Sequence, residues 1–165
     1  MCKKNFMALA TTLMLTAAIV SLDGNGTAMA GECQSVRGHI VSQLLTEGCM
    51  SPVGLCTIGR FRGDIRGEFV FTATSLNPTA NPDFALTSVA FYTGDLVLRT
   101  KDGDLMIKDA GSFNITPNSN GDFGSVQTVV EGTGDFVDAT GRIRMEGVFI
   151  DGCVDCRYRG EICTR

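Results

Sequence analysis

The chain has 165 residues, 44% of them hydrophobic, with no Trp, a single His and a formal net charge of −4 at pH 7. From Gly31 onward 2 Lys and 10 Arg stand against 11 Asp and 6 Glu. No basic block is available to neutralise a run of phosphates, so nucleic acid and anionic lipid surfaces are not expected partners.

Residues 1–30 read as a cleavable signal peptide. Lys3 and Lys4 precede the apolar run Phe6 to Val20, which is shorter than the roughly 18 residues a spanning helix needs, and Ala28-Met29-Ala30 places small residues at the cleavage position. The mature chain, residues 31–165, is long enough for one domain around one core. It is expected to be secreted or periplasmic, with no membrane attachment after cleavage.

Beyond Gly31, helix signals give way to short β-branched and aromatic runs between Gly, Asn, Asp and Pro, the pattern of an antiparallel all-β domain. Strands are predicted near Val36–Leu44, Leu55–Arg62, Gly67–Ser75, Thr87–Tyr92, Asp95–Thr100, Asp104–Lys108, Ser112–Thr116, Gly124–Glu131, Arg142–Ile150 and Arg157–Ile162, some of them merging into longer strands. Asp102-Gly103 and Asn120-Gly121 are two-residue hairpin signals. Leu76 to Asp83, with two prolines, reads as a surface loop. The runs Glu68–Ala73 and Ser88–Tyr92 are apolar on both faces. An outer-membrane barrel would need longer strands with aromatic girdles, and this chain has only two Tyr.

Cys33, Cys49, Cys56, Cys153, Cys156 and Cys163 remain after cleavage, and six cysteines in an exported chain predict three disulfides. Fifteen pairings are open. Three cysteines lie near each end of the mature chain, so a bridge joining the ends is expected. Cys153-Val154-Asp155-Cys156 has the spacing of a redox dithiol, but strands rather than a helix flank it, and no second Cys-x-x-Cys completes a zinc site. No metal and no cofactor is expected.

Catalytic candidates are few. His39 lies in a strand on one face with Arg37 and Val41, and no nucleophile elbow surrounds any serine. Asp102, Asp104 and Asp109, or Asn118, Asn120 and Asp122, lack the spacing of a calcium loop and read as solvated turns. Gly132-Thr133-Gly134 lacks the third glycine and the helix of a dinucleotide loop. Glu68, Glu131 and Glu146 alternate with apolar neighbours and are placed outside.

The segment Gly132-Thr133-Gly134-Asp135-Phe136-Val137-Asp138-Ala139-Thr140-Gly141-Arg142-Ile143 combines a glycine-bounded corner with a following strand. It resembles the GxGxFxxAxGxh segment of small barrels related to allene oxide cyclase and, more distantly, dirigent proteins. Tyr92–Leu96 and Leu105–Phe113 fit the same ladder. The resemblance, over Gly54 to Ile150, implies a single antiparallel eight-stranded calycin-like barrel, often oligomeric in relatives. The cysteine-rich ends are similar to a bacterial group of secreted proteins. No catalytic motif of the cyclases maps onto named residues here.

The expected protein is therefore an exported, non-catalytic, disulfide-stapled barrel that binds a small apolar ligand or a protein partner, another copy of the chain among them. Phe69, Phe71, Phe91, Ile143, Met145 and Phe149 are the candidate lining of its interior. The alternative is an isomerase or cyclase acting on an apolar substrate in the cavity.

Overall fold

The structure is a computed structural model that describes residues 31–79, 88–115 and 121–165. Eight strands run in sequence: β1 (Glu32–Leu44), β2 (Cys56–Gly63), β3 (Gly67–Thr79), β4 (Ser88–Thr100), β5 (Asp104–Ile115), β6 (Gly121–Gly132), β7 (Thr140–Ile150) and β8 (Cys153–Thr164). Each pairs antiparallel with the next, and β8 returns to β1, so the sheet closes into a barrel with no free edge.

The runs Thr87–Tyr92 and Asp95–Thr100 merge into β4, and Asp104–Lys108 and Ser112–Thr116 into β5. Gly94 and Gly111, which fall between those predicted runs, sit inside the ladders opposite Ala73, next to a bulge in β3, and opposite Tyr92. The loop expected from Leu76 begins later, because β3 continues through Leu76-Asn77-Pro78-Thr79, with Pro78 opposite Ala90. The remainder of that segment and Asn120 lie outside the described residues. The Asp102-Gly103 turn forms, with the Thr100 N–H donating to Gly103 O at 3.0 Å and Gly103 at φ 140°.

One end of the barrel is plugged by the glycine corner. Gly134–Phe136 makes one 3-10 turn, entered and left through the left-handed backbone of Gly134 and Asp138, both at φ 60°. It is tied to the β4–β5 turn by Asp135 N–H to Asp102 O and by Asp104 N–H to Thr133 Oγ1. Beneath it Ala139 is fully buried and Phe136 packs on the core. Tyr158 closes the same end. Its hydroxyl accepts from the Ile65 N–H at 2.9 Å, and its ring meets Phe61 at 5.2 Å.

Strand alternation sends Ile40, Phe61, Leu96, Leu98, Leu105, Ile107 and Ile143 inward, all at 2% exposure or less. Inward-facing glycines make room for the aromatic rings. A methyl on Gly59 would lie 2.7 Å from Phe69, one on Gly94 2.4 Å from Phe71, and one on Gly38 2.6 Å from Tyr158. An eight-stranded barrel is just wide enough for its own side chains. Here large rings over bare backbone fill the plugged half.

Two disulfides are present among the described residues. Cys33–Cys163 staples β1 to β8 across the closing seam, and Cys49–Cys56 ties the β1–β2 connection to the start of β2. The bridge between the chain ends thus forms as expected. The expectation that all six mature cysteines are oxidised is corrected at Cys156, a buried free thiol. Alternation along β8 turns it into the interior opposite Ile40 and Gly147, out of reach of the cysteines at the seam. Cys153 is engaged elsewhere, and it does not pair with Cys156 as a redox dithiol.

Candidate functional site: a polar cluster below an aromatic mouth

The end of the barrel where β3, β5 and β7 finish is built differently from the plugged end. Phe113, Phe123 and Phe149, with Leu55 and Leu76, are only partly buried against the core. They surround Tyr92, whose ring stacks on Phe123 at 6.1 Å and 13° and meets Phe113 at 6.1 Å and Phe71 at 5.5 Å. Phe113 continues the aromatic chain to Phe149 at 6.0 Å.

Below this mouth lies a cluster of buried polar groups on β4, β5 and β6. Register sets Asp109 directly opposite Gln127, and Gly111 between Tyr92 and Ser125. With no side chain on Gly111, the Tyr92 hydroxyl lies across its backbone, where an added methyl would come within 2.5 Å of the oxygen. Asp109, Ser125 and Gln127 are 4%, 8% and 0% exposed. Gln127 Nε2 donates to Asp109 Oδ2 at 3.1 Å. Asp109 Oδ1, Ser125 Oγ and Gln127 Oε1 have no hydrogen-bond partner among the described residues.

Burial dominates the electrostatics. Removed from water, the Asp109 carboxyl is pushed up from its ordinary value to about 6, although the neighbouring polar groups of Gln127, Ser125 and Tyr92 work the other way. The Tyr92 hydroxyl is raised above the ordinary phenol range by burial first and by the Asp109 charge second. The Cys156 thiol is pushed up to about 12, chiefly by burial, and so stays a thiol rather than a nucleophilic thiolate near neutral pH. Chemically, the cluster can accept and donate hydrogen bonds and hold or release one proton at Asp109.

The residues predicted to line the interior separate into two groups. Phe69, Phe71, Ile143 and Met145 are buried inside the barrel, and Phe149 sits partly buried at the mouth. Phe91 is the exception: it projects outward and is 51% exposed, because alternation in β4 gives the interior positions to Ala90 and Tyr92. Glu68, Glu131 and Glu146 face out, Glu68 paired with Arg60 at 2.5 Å. His39 also faces out and meets Asp155 at 2.6 Å.

The expectation that Asp109 is a solvated turn residue is corrected: it lies buried in mid-strand, remote from the turn that holds Asp102. The signal was the series Leu105, Ile107, Asp109 at one parity. Met106 and Ala110 at the other parity concealed it. Gln127 shares a parity with Val129 in the same way, masked by Val126 and Val130.

No family model and no curated protein matches this chain. Among solved structures, the crystal structure of Ail, the attachment invasion locus protein of Yersinia pestis, aligns over 82% of this chain and 99% of its own length at 11% identity. The TM-score is 0.19, too low to support an argument about fold or function. What the geometry establishes is a small closed eight-stranded barrel, plugged at one end, with a buried and incompletely satisfied polar cluster beneath an aromatic mouth at the other.

Proposed function

We propose that this protein is an exported, non-catalytic barrel of the allene oxide cyclase-like type that holds a small, largely apolar ligand at its aromatic mouth. The apolar body of the ligand packs on Phe113, Phe123 and Phe149. A polar end reaches toward Asp109, Ser125 and Gln127.

The observation that carries this reading is the set of three buried polar atoms without partners, Asp109 Oδ1, Ser125 Oγ and Gln127 Oε1. An unpaired buried polar atom costs about 1–3 kcal/mol, so three on the neighbouring strands β5 and β6 favour a guest, water or ligand, that pairs them. The outward faces of β7 and β8 support a barrel outside the membrane. Arg142, Arg144 and Glu146, and Asp155, Arg157, Arg159 and Glu161, are all exposed where a membrane barrel presents an apolar band.

The test is native mass spectrometry of protein purified from its own host, repeated on Asp109→Asn and Phe123→Ala. A co-purifying small molecule whose occupancy falls about tenfold in either variant, as loss of one good contact predicts, supports the reading. A bare wild-type protein that also yields nothing on solvent extraction sinks it.

One observation favours the alternative, an isomerase or cyclase. A carboxyl with pKa about 6 in an apolar interior beside Tyr92 can act as an acid or base near neutral pH. Release of an extracted ligand chemically changed by wild type but not by Asp109→Asn would identify that activity.

A further inference from the structure

A second feature lies outside the barrel and takes no part in the mouth. Register brings Arg144 opposite Arg159, and Arg159 opposite Arg37, so three guanidinium groups stand side by side across β7, β8 and β1. In the adjoining row Arg142 stands opposite Glu161. All four arginines are exposed, and they border one groove of about 710 Å³ that also takes in Ser35 and the carboxylates Asp64 and Glu161.

Like charges directly opposite on neighbouring strands, about 5 Å apart, repel and destabilise the sheet. Outside the groove, Arg60, Lys108, Lys101 and Arg165 pair with Glu68, Asp95, Asp102 and Asp138, and the exposed Arg62, Arg66, Arg99 and Arg157 stand singly, none of them opposite another arginine. Among the described residues, none of the four groove arginines has a carboxylate within ion-pair distance. Asp64, the acid nearest Arg37, accepts instead from the Arg37 backbone N–H at 3.0 Å. Four arginines beside two carboxylates, Asp64 and Glu161, leave the groove with a local excess of positive charge in a protein that is acidic as a whole.

We propose that this groove is a binding site for a multivalent oxyanion, a ligand bearing two or more phosphate or sulfate groups, with Arg37, Arg144 and Arg159 as its clamps. Each guanidinium offers a planar fork that matches an oxyanion in a two-pronged geometry. The row spans two inter-strand gaps, about 10 Å, which exceeds one tetrahedral anion and suits a chain of them. The closed sheet holds the three Cα positions fixed, so only side-chain freedom is lost on binding. The site is independent of the interior and survives if the mouth proves empty.

The probe is tripolyphosphate, titrated calorimetrically into the disulfide-intact exported chain at low salt. Saturable binding that Arg159→Gln weakens about tenfold, the worth of a charge-assisted hydrogen bond, supports the proposal, provided that Arg99→Gln on β4 leaves it unchanged. Without ligand, Arg159→Gln is expected to raise the melting temperature, because it relieves the repulsion in the row. A second arm uses vesicles of an anionic phospholipid. Vesicle binding displaced by tripolyphosphate identifies a lipid headgroup as the source, and tripolyphosphate binding without vesicle binding identifies a soluble oxyanion. Absence of saturable tripolyphosphate binding, or an equal loss in Arg99→Gln, overturns the proposal.

Discussion

Asp109 links the stability of the barrel to pH. Its carboxyl ionises at about 6 in the folded chain against an ordinary value of 3.8, so the folded state keeps its proton over a range where the unfolded state has lost it. Stability from this group is intact below about pH 4, declines as pH rises through that window, and is lower by about 3 kcal/mol above pH 6. Urea unfolding at pH 4, 5, 6 and 7 should show the difference between wild type and Asp109→Asn changing by that amount; a constant difference would mean the carboxyl is solvated. Neighbouring positions are expected to separate by parity. Phe71→Ala should cost about 3–5 kcal/mol and Phe91→Ser less than about 0.5 kcal/mol, since one ring is buried and the other exposed. Gly111→Ala forces a methyl against the Tyr92 hydroxyl and should destabilise by about 1–3 kcal/mol, read by the same denaturation.

Strands, corners and staples account for how the elements cohere. The Gly132–Gly141 corner was legible because its glycines, Phe136 and Ala139 act locally: a sharp turn, an approach too close for a side chain, and a plug beneath it. The ten predicted runs became eight strands because Gly94 and Gly111, strand-breaking by propensity, are held in the ladder by partners on both sides and covered by Phe71 and Tyr92. The two disulfides should differ in worth. Cys33–Cys163 encloses a separation of 130 residues and Cys49–Cys56 one of 7, which in the chain-entropy model correspond to about 5 and about 2.5 kcal/mol. Unfolding free energies of the Cys33→Ser/Cys163→Ser and Cys49→Ser/Cys56→Ser double variants, measured side by side, would reverse this order only if the seam were already strained.

At the scale of the whole molecule, closure sorts residues between a packed interior and two unlike exterior faces. On one face Ile58, Val70, Val97 and Met106 align in a single row across β2 to β5, with Val70, Val97 and Val130 at 42%, 36% and 50% exposure. If another copy of the chain covers that row, light scattering should show concentration-dependent association that Val97→Glu abolishes; a wild type that stays monomeric at high concentration removes the homo-oligomer from the reading. The opposite face carries the arginine row. The sequence alone determined the all-β class, the oxidised ends and the corner, because alternation, cysteine count and turn glycines are local or compositional. Only the tertiary structure decided that Asp109 is buried, that Phe91 is exposed, that Cys156 is left a thiol and that Arg159 stands between Arg37 and Arg144 in one row. Each of those depends on register and barrel closure, which bring together positions more than a hundred residues apart and assign every strand a single inward parity.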